Sequence, residues 1–221
     1  MSTSLIILTL NEIDGIRKIL PEIKKEWVDE ILIVDGGSID GTVEEATEMG
    51  FKVIKQKIKG HGGAILEGIK QTTSDKIIIF GADGSNETNE IPQLVEKSLE
   101  GFDQVTISRF GKTSINEDAG IIDGFGNKMF AFITNILFGG KLTDSLCSSR
   151  LFTRKAFLEI KLDDFSLCAV EQISVRGMKR KQQFYEIIGN ERARIGGERK
   201  MHRIPTGIQL VSQIVKEFIF W

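Results

Sequence analysis

This 221-residue chain is poor in three residue types that usually announce a site or a stapled fold: it has three prolines, two cysteines and two histidines. Cys147 and Cys168 stand too far apart for a metal knuckle and read as reduced core thiols. His61 and His202 exclude a histidine-rich metal centre and argue against a Ser-His-Asp triad. No run of ~18 or more uninterrupted apolar residues occurs, so no stretch reads as a bilayer-spanning helix. The opening Met-Ser-Thr-Ser has no basic segment of the signal-peptide kind, which sets a cytoplasmic location as the expectation. A net charge of −2 gives no global reason to expect nucleic acid as a partner. What the chain does hold is 23 glycines, 41% hydrophobic and 27% charged residues, the make-up of one ordinary soluble domain of sizeable core.

The central stretch is Ile31-Leu-Ile-Val-Asp-Gly-Gly-Ser-Ile-Asp-Gly-Thr42. An apolar run fit for one buried strand breaks at two glycines, which permit a sharp turn. Thr42 with Glu45 three residues later reads as a capping box for the next helix. Around it strand and helix alternate. Strands are predicted over residues 5–9, 31–34, 51–54, 76–80 and 104–108. Helices are predicted after Asn11, read as a cap, and over residues 42–49, after Gly60, and over 88–99. This alternation predicts an α/β fold with a mostly parallel, doubly wound sheet. After Arg109 come a polar loop, a helix over Ile121–Phe138, a loop over 141–149, a resumed apolar run at Leu151, a helix over 167–178 and a strand over 183–188. A basic, glycine-containing loop over 190–203 precedes a closing amphipathic helix. On the first of these helices Phe125 and Met129 read as core.

In a doubly wound sheet the tips of strands one, two and four converge on one crevice. They carry Thr9-Leu-Asn-Glu12, Asp35-Gly-Gly-Ser38 and Gly81-Ala-Asp-Gly-Ser85. Glu12, Asp35 and Asp83 become neighbours there, able to bind base, ribose or a divalent cation; each could instead simply cap a helix. Lys59-Gly-His-Gly-Gly63 precedes a helix and could bring N–H groups to phosphate. It is not a P-loop, and no G-x-G-x-x-G follows the first strand. Arg192, Arg194, Arg199 and Lys200 read, by themselves, as a solvated basic loop.

Several segments occur in the order found in family 2 glycosyltransferases: Thr9-Leu-Asn-Glu12, Val34-Asp-Gly-Gly-Ser-Ile-Asp-Gly-Thr42, Lys59-Gly-His-Gly-Gly-Ala64 and Ala82-Asp83. Ser108-Arg109-Phe110, Thr143-Asp144 with Arg150-Leu-Phe152, and Arg194-Ile-Gly-Gly-Glu-Arg-Lys200 are similar to the polyprenyl (dolichyl) phosphate hexose synthases, of the dolichyl-phosphate mannose synthase type. The resemblance implies a GT-A domain over residues 1–203, its first 108 residues binding the nucleotide-sugar and residues 109–203 the acceptor, then a C-terminal amphipathic helix over 204–221. It implies a GDP- or UDP-linked donor, Mg2+ or Mn2+, a polyprenyl or dolichyl phosphate acceptor, and peripheral contact with the cytoplasmic face of a membrane.

Carried over residue by residue, Thr9, Asn11, Glu12, Asp35, Gly37, Ser38, Lys59, Gly62, Ala82 and Asp83 would bind the nucleotide-sugar. Asp83 and Ser85 would hold the metal. Arg109, Lys128, Arg194 and Lys200 would meet the acceptor phosphate, and Asp83, Arg109 and Arg194 would carry the catalysis. The chain departs from the family at Gly81, usually the first acid of Asp-x-Asp, at Ser85, often Gln, and at Gly36, often a second Asp. A lipid phosphate is already an anion near neutral pH. It needs neutralisation and aim rather than a strong general base, and in-line attack inverts the anomeric centre. The same residues also accommodate a soluble or glycan acceptor, or a nucleotide-sugar-binding protein without catalysis. A nucleotidyltransferase lacks its usual glycine-rich basic signature here.

Overall fold

The computed structural model describes residues 1–118, 120–198 and 201–220. Its centre is a seven-stranded sheet in the order β3-β2-β1-β4-β6-β5-β7. The strands are β1 (Thr3–Thr9), β2 (Glu30–Asp35), β3 (Lys52–Lys55), β4 (Lys76–Gly81), β5 (Gln104–Ser108), β6 (Arg150–Thr153) and β7 (Phe184–Ile188). β1 pairs in parallel with both β2 and β4, and β2 with β3. β6 runs antiparallel to its neighbours β4 and β5, while β7 returns parallel to β5. The mostly parallel α/β sheet expected from the alternation is present, with one reversed strand set into it.

The near-continuous apolar runs of β1, β2 and β4 follow from burial on both faces. Successive side chains alternate between faces. Leu5, Ile7, Ile33, Ile78 and Phe80 join the core with Ile16, Ile91 and Leu94. Ile6, Leu32, Val34, Ile77 and Ile79 join a second core with Ile65, Ile69, Phe157 and Ile173 on the other face. The helices that supply these residues are α1 (Ile13–Ile19), α3 (His61–Lys70), α4 (Glu90–Ser98), α6 (Arg154–Ile160) and α7 (Ala169–Lys179); α2 (Thr42–Glu48) adds Ala46 to the first core, and α5 (Ile121–Phe138) and α8 (Arg203–Phe220) complete the set. The sequence reading passed over α6. Thr153 caps it by accepting a hydrogen bond from the Ala156 N–H.

Two local expectations are corrected. Asn11 does not cap α1: its side-chain oxygen accepts from the Ile39 N–H, and its own N–H donates to Ser38 Oγ. Thr42 and Glu45 form no capping box. Thr42 Oγ1 donates to Asp40 and accepts from the Glu12 N–H, while Glu45 pairs with Arg17. In both cases a long-range partner outcompetes the local one, and the result ties the turn after β2 to the start of α1.

α5, α7 and α8 pack around a small third core of Phe130, Cys168, Leu210 and Ile214. α8 is also pinned by polar groups. Oε1 of the fully buried Glu217 accepts from Gln172, Arg176 and Gln213 at 2.9, 2.9 and 3.0 Å. Arg203 forks onto Asp123 at the start of α5. The expectation that Phe125 and Met129 lie in the core is overturned: they are 70% and 38% exposed. α5 is apolar on two sides, and Phe130, Ala131 and Thr134 take the inward one. Among the described residues no helix is long and apolar enough to cross a membrane.

Candidate active site

The tips of β1, β2 and β4 lie side by side, with Thr9 opposite Asp35 and Leu8 opposite Gly81. Asp35 is buried and organises the turn that follows it. Its Oδ2 accepts from the Gly37 and Ser38 N–H groups at 2.7 and 3.0 Å. Its Oδ1 accepts from Ser38 Oγ at 2.5 Å and Thr9 Oγ1 at 3.2 Å. Both carboxylate oxygens are therefore engaged by protein donors, and Thr9, Asn11, Asp35, Gly37 and Ser38 form one hydrogen-bonded unit.

Glu12 and Asp83 sit beside this unit, joined by a residue from the far end of the chain. Arg194 Nη1 donates to both Glu12 oxygens at 2.7 and 2.9 Å, and its Nη2 to Asp83 Oδ2 at 2.8 Å. Burial works against its charge, but the two carboxylates more than restore it and hold its pKa above the ordinary value. Asp83 Oδ1 accepts from the N–H and hydroxyl of Ser85 at 3.0 and 2.8 Å. The loop bearing Arg194 is laced to the β4 tip by main-chain bonds, Ile195 N–H to the Asp83 carbonyl and Arg192 N–H to that of Ser85. Ala82 is buried in the core with Ile16 of α1, and its carbonyl packs close to Gly15 of the same helix.

Arg109 follows β5 on the same side. Nε and Nη2 fork onto Asp144 at 2.7 and 3.1 Å, and Nη1 reaches Glu191 at 2.9 Å. Asp144 is wholly buried, and Asn116 binds the other Glu191 oxygen. Burial again opposes the guanidinium charge, yet the paired acids raise its pKa well above the ordinary value.

The remaining expected positions lie apart. Gly62 is buried at the start of α3, where its N–H donates to the Phe165 and Ser166 carbonyls. An added Cβ there would stand 2.2 Å from the Asp164 carbonyl oxygen, so glycine is required for this close approach. Lys59 and Lys128 are exposed. Lys200 lies outside the described residues.

The donor set at the β4 tip suits a hard divalent cation. Asp83, the Ser85 hydroxyl and Glu12 offer oxygen ligands, and a cation, the Arg194 guanidinium, already lies between the two carboxylates. Among the described residues no three His, Cys, Asp or Glu side chains come close enough to enclose a metal by themselves. An ion here would draw its other ligands from water and diphosphate, the usual habit of Mg2+.

The model of the glycosyl transferase family 2 matches residues 4–161. The chain belongs to family 2 of the glycosyltransferases. Glycosyltransferase AglJ of Haloferax volcanii is 29% identical over 179 residues, which are 78% of this chain and 57% of that protein. The chain thus spans little more than half of that relative. A dolichyl-phosphate hexose transferase of the same organism is 26% identical over 94% of this chain and 90% of its own. The transferase's fold also matches glucosyl-3-phosphoglycerate synthase from Mycobacterium tuberculosis, solved with Mn2+, UDP and phosphoglyceric acid. That match has a TM-score of 0.79 at 16% identity, covering 99% of this chain and 78% of that one.

The sequence reading assigned no role to several charged groups of the transferase that matter. Glu191 lies at the start of the basic loop, and an acid in that position was the available signal. Arg150 is buried with its guanidinium on the Ser145 and Cys147 carbonyls and Ser174 Oγ. Beside it His61 Nε2 lies 3.0 Å from Ser148 Oγ; burial and then Arg150 bring its pKa down to about 4, so the ring is neutral at physiological pH. Burial pushes the Cys147 thiol up to about 12, in keeping with an inert core thiol.

Proposed function

We propose that this transferase moves a hexose or N-acetylhexosamine, with inversion, from a GDP- or UDP-sugar to a polyprenyl or dolichyl phosphate at a membrane surface. The observation that carries the lipid acceptor is where the apolar surface lies. Arg109 leads into α5, and the Arg194 loop leads into α8. Both helices turn apolar stripes outward: Ile122, Phe125, Phe132 and Ile136 on one, Ile208, Val211, Val215 and Phe218 on the other. A stripe of this extent beside basic residues suits an interfacial helix and a lipid tail. Trp221, the last residue of the expected C-terminal amphipathic helix, lies outside the described residues.

On this reading Thr9, Asn11, Glu12, Asp35, Gly37, Ser38 and Ala82 form the nucleoside side, Asp35 trading the Ser38 hydroxyl for a base N–H. Lys59 and Gly62 border the donor phosphates. Mg2+ or Mn2+, when bound by Asp83 and Ser85, would neutralise the leaving diphosphate. Arg109, Lys128, Arg194 and Lys200 would neutralise and aim the acceptor phosphate, whose oxygen attacks the anomeric carbon without a general base. A phosphate-bearing soluble acceptor, such as the phosphoglyceric acid of the fold neighbour, would use the same arginines. The outward apolar stripes favour the lipid.

The test incubates the protein with radiolabelled UDP- or GDP-sugars, Mg2+ or Mn2+ and a polyprenyl phosphate, followed by organic extraction. Label in the lipid phase is expected. Absence of lipid-phase label with every donor, alongside nucleotide release with soluble phosphate acceptors, refutes the lipid acceptor. Phe132→Asp should weaken sedimentation with anionic vesicles at least fivefold and leave the melting temperature unchanged, because Phe132 is 64% exposed.

A further inference from the structure

Three features set Arg194 apart from an ordinary surface arginine. Its guanidinium bridges acids from two different strand tips, Glu12 after β1 and Asp83 after β4, with three contacts of 2.7–2.9 Å. Its Nη2 takes Asp83 Oδ2, while Ser85 takes Oδ1, so a cation arriving at Asp83 meets an arginine already on the oxygen it needs. Finally, the loop is seated for this contact. Its main chain is bonded to Asp83 and Ser85, and Gly196 and Gly197, both left-handed at φ 66° and 63°, lie against Asp14, Asn11 and Glu12.

The same loop carries the opposite charge to the other half of the site. Glu191 occupies Arg109 as a carboxylate, an anion where an acceptor phosphate is proposed to bind. One segment thus supplies a cation to the acids and an anion to the arginine.

We propose that Arg194 is the resident counter-ion of the metal site: it occupies Glu12 and Asp83 until a divalent cation displaces it, and only then is it released toward the acceptor. This rests on the reading of Asp83 and Ser85 as metal ligands, and it adds that metal and Arg194 exclude one another at the same oxygen. Metal affinity without nucleotide is held down by this competition.

Mn2+ binding to the nucleotide-free protein, followed by loss of the free-ion electron paramagnetic resonance signal, tests the exchange. Arg194→Gln should bind Mn2+ at least tenfold more tightly than the parent. Arg194→Lys keeps the charge but loses the fork that spans both acids, and it should fall between the two. Arg192→Gln, which removes a half-exposed arginine paired with Glu87, should match the parent. Asp83→Asn should abolish binding in every background. If Arg194→Gln and Arg194→Lys bind no more tightly than the parent while Asp83→Asn still abolishes binding, the competition is refuted and the metal assignment stands. If Asp83→Asn leaves Mn2+ binding intact, the metal assignment fails and the competition with it. Should the Gln variant not fold, the Lys variant decides: affinity equal to the parent overturns the proposal.

Discussion

Replacing Gly15 by alanine sets two known effects against each other at the point where α1 meets the β4 tip. In a helix interior the change is favourable by about 1 kcal/mol, because alanine has the higher helix propensity and restricts the unfolded chain. Here, however, the new Cβ would stand 2.0 Å from the Ala82 carbonyl oxygen and 3.1 Å from Asp83 Cα, both main-chain atoms. Relief needs a shift on the order of 1 Å, given carbon contact optima of about 3.5–4.0 Å. β4 is held by β1 on one side and β6 on the other, so the segment able to yield is residues 82–85. Overpacking of this kind destabilises by about 1–3 kcal/mol. The balance is a net loss of up to about 2 kcal/mol, which at its upper end lowers the melting temperature by roughly 4–8 °C for a domain of this size. Activity should suffer more, since a displacement of about 1 Å at a reacting centre lowers the rate on the order of 100-fold. Calorimetric melting and donor turnover measured on the same sample give both numbers. A Gly15→Ala protein as stable as the parent, with unchanged turnover, would falsify the claim that α1 sets the position of Asp83.

Glu217→Ala takes from the buried Arg176 the buried one of the two carboxylates that accept from it, leaving the half-exposed Asp163, and should destabilise by about 3–5 kcal/mol. The accompanying drop in melting temperature is roughly 6–20 °C, and a drop below ~2 °C would show that the pair does not pin α8. Asp144→Asn removes the buried half of the Arg109 fork and should lower stability by about 3 kcal/mol; a Glu191→Gln control, touching one nitrogen only, should lower it less, and the reverse order would sink the assignment. Glu90 is buried beside Glu87, and burial, then the Glu87 charge, raise its pKa from 4.5 to about 8. The folded protein keeps this group protonated where the unfolded chain ionises, so stability is lost as pH rises from about 5 to about 8. Glu90→Gln should therefore gain in melting temperature over the parent progressively across that window and level off above it. Parallel pH profiles for the two proteins would contradict this.

The parallel strands were legible because burial on both faces writes a continuous apolar run, and β5 and α5 begin and end where their patterns do. β6 was less so: four residues carry no mark of direction, and its antiparallel seat between β4 and β5 is decided by partners far away in sequence. α6 had its signal in Thr153 ahead of Ala156, Phe157 and Ile160, but seven residues make a weak period. Helical spacing marked α5 as apolar without saying which side meets the core, hence the misplacement of Phe125 and Met129. Glu12, Asp35 and Asp83 were predicted to be neighbours because strand tips converge; Glu12 and Asp83 meet on Arg194, and Asp35 is linked through Ser38 to Asn11, next to Glu12 in the chain. The pairing of Arg194 with Glu12 across 182 residues leaves no local trace, and neither does that of Arg109 with Glu191.

The glycine at position 81 gains meaning from those pairings. A Cβ there would point to within 3.7 Å of Asp83 Oδ1, so an aspartate would add a third carboxylate to the Glu12–Asp83 pair. Each arginine of the site now faces two acids, Arg194 with Glu12 and Asp83, Arg109 with Asp144 and Glu191. Each arginine, counted with its two paired acids alone, therefore carries one formal negative charge in excess. A further acid at the β4 tip would strengthen attraction for a divalent cation and for Arg194 alike, because both are drawn to the same oxygens. Its effect on the competition between them would be small, whereas Arg194 would be held by one more acid. On the proposed exchange, Gly81 would leave the arginine held by contacts that one arriving ion can replace.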